Sequence, residues 1–129
     1  MAANVFLSYA MADTALAAQV AQSLGKSGID TPLFHAGLKP GDSYVEQLRK
    51  GLQNSDAVVI VLSDASVNSA NVMAELGAAL ALNKRIVAIK PSLSPLPFSL
   101  PGAPSIQMLM TEGMSADEIA TTIRNHLAN

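Results

Sequence analysis

Three observations in this sequence predict an α/β domain built on a parallel sheet. Short apolar runs alternate with segments whose apolar residues recur at helical spacing. One run, AVVIVLS from Ala57 to Ser63, has no polar alternation, as expected of a strand buried on both faces in the middle of a parallel sheet. Pro32 falls inside another run and places that strand at an edge, because proline has no amide hydrogen to give to a ladder. With 129 residues the chain fits one domain, taken as residues 1–129. The expected architecture is a flavodoxin-like three-layer domain: five parallel strands in the order 2-1-3-4-5, with right-handed crossovers.

The elements follow in order. Asn4 to Ser8, NVFLS, is a short run rich in strand formers. Asp13 has the chemistry of an N-cap, and Leu16, Val20 and Leu24 then recur every four residues on one helix face. Gly28 stops that helix. The second strand runs from Ile29 to Phe34, and the turn-rich loop HAGLKPGD, His35 to Asp42, comes after it. Ser43 and Glu46 form a capping-box pattern ahead of Val45, Leu48 and Leu52. After the central strand, SANVMAELGAALAL from Ser69 to Leu82 reads as a helix, with Met73, Leu76 and Leu80 as its core face. RIVAI, Arg85 to Ile89, is the fourth strand, and the Pro-rich stretch from Pro91 to Pro104 is an irregular surface loop. Ile106 to Met110 is a short last strand. Ser115 and Glu118 make a further capping box before a final helix carrying Ile119, Ile123 and Leu127.

Composition excludes several classes of function. Half of the residues are hydrophobic, yet no block reaches the ~18 apolar residues that span a bilayer, so no membrane partner is expected. The start, MAANVFLSYA, lacks the basic and long apolar regions of a secretion signal. No cysteine is present, which removes disulfide and thiolate chemistry and fits a cytoplasmic location. The net charge of −2, with scattered basic residues, gives no footprint for nucleic acid. His35 and His126 are the two histidines, so a His-rich metal site is excluded and no metal is expected.

Glu75 stands out as the single charge in its helix, between Asp64 before it and Lys84 after it. In open sheets of this order, ligands bind beyond the carboxyl ends of the strands where strand order reverses. That point lies between strands one and three, lined by the loops Ser8–Asp13 and Ser63–Ala70, and the second loop leads into the Glu75 helix. Two readings stand side by side: a solvent-facing Glu kept for solubility, or a carboxylate flanking the Leu76 face, about 100° round the helix, at the cleft edge. Other chemistries on this fold lack their residues. There is no P-loop or GxGxxG. A phosphoacceptor site needs acidic partners, whereas Tyr9, Ala10 and Met11 follow strand one and Asp64 stands alone. Ser8 and Ser63 have no histidine near them in sequence.

Three blocks in order resemble a TIR (Toll/interleukin-1 receptor) domain of the bacterial type: VFLSYAMAD (Val5–Asp13), FHAGLKPGDSY (Phe34–Tyr44) and SDAVVIVLSDASVNSANVMAEL (Ser55–Leu76). The match runs from Asn4 to about Pro91 with good spacing, and the tail is compatible. The resemblance implies cleavage of NAD at the nicotinamide–ribose bond, with NAD as substrate and no cofactor, giving ADP-ribose or a cyclised isomer. It places the family's catalytic glutamate on Glu75 and substrate contacts on Ser8, Tyr9, Phe34, Leu38 and Asn71. It also makes His35, Gly37, Leu38, Lys39, Pro40, Gly41 and Asp42 a loop that packs on a neighbouring protomer, so a homo-oligomer is expected, driven by a sensor domain or an upstream activator in antiphage defence.

Blander readings accompany these roles: Phe34 as a core or loop anchor, Tyr9 as a strand-end anchor, Ser8 as a turn closer, and Lys39 as a solvated charge. Asn71 stands where catalytic members often carry Trp, and Ala10 and Met11 stand where some carry basic residues. These departures favour the rival reading, a non-catalytic TIR–TIR scaffold. A deoxyribosyltransferase on the same fold is a third reading. The chemistry suits a lone carboxylate. Nicotinamide in NAD is already cationic and leaves neutral, so no acid is needed, unlike sugar hydrolysis with its two carboxylates. One carboxylate can accept ribose hydroxyls and stabilise the cationic centre, more strongly against a dry wall.

Overall fold

The computed structural model describes residues 3–31, 41, 43–92 and 106–128. Its elements are β1 (Ala3–Ser8), a 3-10 turn (Met11–Asp13), α1 (Thr14–Lys26), β2 (Ile29–Asp30), α2 (Tyr44–Gln53) and β3 (Ala57–Val61). A second 3-10 turn (Ser66–Asn68), α3 (Ala70–Ala81), β4 (Ile86–Lys90), β5 (Ile106–Met110) and α4 (Ala116–Leu127) complete them. The five strands are parallel in the order β2-β1-β3-β4-β5, as the apolar β3 and the edge proline predict. Ser8 pairs with Ile60 in the β1–β3 register, which fixes the end of β1 at the middle of the sheet.

Strand alternation divides the core into two layers. Val5, Leu7, Val59, Val61, Val87, Ile89 and Leu109 point to one side and pack with Val20 and Leu24 of α1 and Ile119 and Ile123 of α4. Phe6, Val58, Ile60, Leu62, Ile86 and Ala88 point to the other and pack with Leu48 and Leu52 of α2 and Val72, Leu76 and Ala79 of α3. Burial of β3 is complete along its length, the reason its sequence carries no polar alternation.

The helix ends follow local chemistry, with two departures. Gly28 has φ of +82° and turns the chain out of α1, a conformation glycine adopts without a Cβ clash. Ser69 caps α3 by accepting from the Val72 amide at 3.3 Å, and Ser115 with Glu118 forms the full reciprocal box at α4. Asp13, expected to cap α1, makes no side-chain cap. The 3-10 turn carries the chain into the helix, and the Asp13 carboxylate instead accepts from the Ser63 hydroxyl, tying the loop after β1 to the loop after β3. At α2 half of the expected box forms: Ser43 accepts from the Glu46 amide at 3.3 Å, while the Glu46 carboxylate pairs with Arg49 at 2.8 Å. The second strand, expected from Ile29 to Phe34, is β2 through Asp30; Pro32 to Phe34 lie outside the described residues.

Candidate functional site

The site is assembled from three elements. β1 ends in Ser8 and delivers Tyr9 to the loop beyond it. α3 brings Asn71 on its first turn and Glu75 one turn later. α2 begins with Tyr44, set by the Ser43 cap. The buried stripe of α3 is Val72, Glu75, Leu76 and Ala79, whereas Met73 and Leu80, expected in the core face, are only partly buried. The helix packs through the i, i+3, i+4, i+7 stripe from Val72, and Glu75 is its i+3 member. A solvent-facing Glu75 is therefore excluded, as its exposure is 0%.

Both carboxylate oxygens of Glu75 accept hydroxyl hydrogen bonds. Ser8 Oγ donates to Oε1 at 2.6 Å, and Tyr44 Oη donates to Oε2 at 3.0 Å. Removing a carboxylate from water costs several kcal/mol, and charge-assisted hydrogen bonds of this kind offset part of that cost. Tyr44 feels the arrangement in return: burial, the Glu75 charge and the hydrogen bond together push its phenol well above the ordinary tyrosine range. A group so shifted stays protonated and remains a donor.

At the carboxyl end of β1 opens a cleft of about 350 Å³ lined by Tyr9, Ala10, Met11, Thr14, Ser69 and Asn71. It lies where strand order reverses, the position at which such sheets bind ligands. Met11 stands at 91% exposure. The carboxylate does not line this cleft; it sits one helical turn below Asn71, and side chains on a helix lean toward its amino end. A cavity of similar size, about 360 Å³, lies at the amino end of β1 against the last turns of α2, lined by Asn4, Lys50, Asn54 and their neighbours. It holds no buried charge and sits at the opposite end of the strands from Glu75.

Of the residues singled out in the sequence, Ser8 and Glu75 are in direct contact, and Tyr9 and Asn71 line one cleft. Gly41 has φ of +91°, as a tight turn requires. Phe34, His35, Gly37, Leu38, Lys39, Pro40 and Asp42 lie outside the described residues. Tyr44 is the contact that sequence reasoning missed. Its signal was its place, an aromatic at the first position of α2 right after the glycine-rich turn. Among the described residues no three His, Cys, Asp or Glu side chains gather as metal ligands, and no helix is long and apolar enough to cross a membrane.

Comparison with known proteins agrees with this fold. The family model for the TIR domain matches residues 5–124. The TIR domain of the Toll-related receptor TRR-2 from the lower metazoan Hydra magnipapillata superposes with a TM-score of 0.69 at 19% identity, covering 97% of this chain and 98% of that one. The Clostridium botulinum CMP N-glycosidase BcmB gives 0.70 at 16% identity, covering 95% and 98%. The TIR domains of the activated Roq1 resistosome give 0.60 at 21% identity, covering 96% and 71%. At these identities the likeness is one of fold. No curated protein sequence matches the chain.

Proposed function

The chain belongs to the TIR-domain family, and from that premise we propose that it cleaves NAD at the nicotinamide–ribose bond. One observation carries the reading: a fully buried carboxylate, Glu75, held by two hydroxyls one helical turn from Asn71, which lines a cleft at the switch point of the sheet. Ribose presents two neighbouring hydroxyls, the same kind of donor that Glu75 already accepts. In the proposed reaction the bond between ribose C1′ and the pyridinium nitrogen breaks, and nicotinamide leaves neutral with the electron pair. Glu75 stabilises the resulting oxocarbenium centre, and its low-dielectric setting strengthens that interaction. Water then adds at C1′ and releases a proton, giving ADP-ribose; an adenine nitrogen attacking instead gives the cyclised isomer.

The leaving group decides between NAD and an ordinary nucleotide. A neutral base such as cytosine needs a proton as it departs. Tyr44, held above the usual phenol range, is a poor acid. The described site thus suits a leaving group that is already charged. Asn71 in place of a stacking ring gives the cleft an amide that can pair with a carboxamide. Family resemblance supports activation by self-assembly under a sensor or upstream activator, in antiphage signalling. A second reading, a non-catalytic TIR–TIR interaction module, draws on one observation: Glu75 has no exposed surface.

The test is nicotinamide release from NAD, followed by chromatography at high protein concentration, for wild type and Glu75→Gln. The amide keeps the shape and removes the charge. The proposal expects release by wild type and a loss on the order of 10²–10³-fold in the variant, the scale of losing one electrostatic stabiliser. Silence in both supports the scaffold. Cytidine monophosphate in parallel tests the leaving-group argument, with no cytosine release expected.

A further inference from the structure

We infer that Tyr44 is a latch on Glu75, its hydroxyl occupying the place that a ribose hydroxyl takes when substrate binds. The inference rests on the NAD-cleavage reading and adds the route by which the carboxylate becomes available. Glu75 has no exposed surface and both of its oxygens are engaged, so substrate reaches it only if a present contact gives way. The two donors differ in what it takes to move them. Ser8 is fully buried in β1, in register with Ile60 at the centre of the sheet, so its backbone cannot shift without breaking that pairing. Tyr44 is partly exposed and is the first residue of α2, where no preceding helical turn holds the backbone. Among the described residues it is the part of the seal that can open with the sheet intact.

The exchange has a chemical condition. A buried carboxylate that loses a donor without replacement is left under-satisfied, which is costly. A ligand hydroxyl arriving at Oε2 restores the count of hydrogen bonds, so the seal opens at small cost to a hydroxyl-bearing ligand and at large cost to any other. Lowering the weight of the Tyr44 bond therefore shifts the population toward the open form, and a ligand gains apparent affinity in proportion to the open fraction. The latch also keeps water from the carboxylate in the resting chain.

Two measurements test it. Tyr44→Phe keeps the ring and removes the hydroxyl. At protein concentrations where wild type is slow, the latch expects nicotinamide release to rise on the order of 10- to 100-fold, the weight of one hydrogen bond to a charged acceptor, and mainly through a lower KM. Ser8→Ala, which removes the donor that stays, is expected to lower release. A fall in kcat for Tyr44→Phe, with dependence on Glu75 retained, would overturn the latch and make Tyr44 a fixed support. The second measurement needs no turnover. With Tyr9 and Tyr44 the two tyrosines of the chain, isotope-labelled tyrosine gives two ring signals in NMR, assigned by Tyr44→Phe. Added ADP-ribose is expected to move the Tyr44 signal toward that of free tyrosine, and an analogue lacking both hydroxyls on the nicotinamide-side ribose is not. If every variant fails to release nicotinamide, the cleavage reading falls, and the NMR result alone decides the latch: an unmoved Tyr44 signal overturns it.

Discussion

Glu75 and Asp117 each accept a hydrogen bond from a serine hydroxyl at 2.6 Å, Glu75 from Ser8 and Asp117 from Ser23. Each pair joins two elements: α3 to β1 in the first case, α4 to α1 in the second. The surroundings separate them. Glu75 has no exposed surface, while the Asp117 side chain is 73% exposed and lies 3.8 Å from the Lys26 ammonium. Water screens the exposed Asp117 carboxylate, so the net weight of the second pair is small. Glu75 has no surface open to bulk solvent, so its hydroxyl partners and its charge weigh more. Equal geometry thus gives a surface stitch in one place and a candidate reaction centre in the other, and dielectric decides which.

The largest break in this comparison is expected in activity. Glu75→Gln should lose on the order of 10²–10³-fold in nicotinamide release, while Asp117→Asn keeps the wild-type rate. Next comes stability, read by chemical denaturation. Ser8→Ala takes a donor from a buried charge and is expected to cost about 1.5–3 kcal/mol. Glu75→Met together with Ser8→Ala removes the carboxylate and its buried donor, leaves the partly exposed Tyr44 hydroxyl to water, and should recover most of that loss, since an apolar replacement of buried polar partners is often neutral. A double-mutant cycle without coupling between the two sites would contradict the picture.

A smaller effect is expected from alkali. Because the Tyr44 phenol is raised above its ordinary 10.0, the fold holds that proton more tightly than the unfolded chain does. Its stabilising contribution is therefore complete below pH 10 and declines as pH rises toward the raised value. Tyr44→Phe should flatten that decline, and unchanged alkaline sensitivity in the variant would place the cause elsewhere. The smallest effect belongs to the surface pair. Asp117→Asn is expected to change stability by no more than about 0.5 kcal/mol, and that change should vanish in high salt.

Local rules carried much of the fold. The unbroken apolar run of β3 announced its burial on both faces, and Ser43 and Ser115 marked two helix starts because capping is settled within four residues. The same rules misled where a distant partner competed. Asp13 looked like a cap until Ser63, fifty positions away, took its carboxylate. Glu46 had its own helix neighbour, Arg49, to pair with. The site divided the same way: the switch point and the helix bearing Glu75 could be placed from topology, but Tyr44 could not.

By itself the sequence determined the succession of strands and helices, the central and edge strands, and the presence of one isolated carboxylate on the helix that opens at the switch point. These depend on periodicity and on turn chemistry, which act over a few residues. Only the tertiary structure decided that Glu75 faces inward and which hydroxyls hold it. Ser8 and Tyr44 stand 67 and 31 positions from it along the chain. No local pattern encodes contacts across such separations; they exist because β1 pairs with β3 and because α2 and α3 share one face of the sheet.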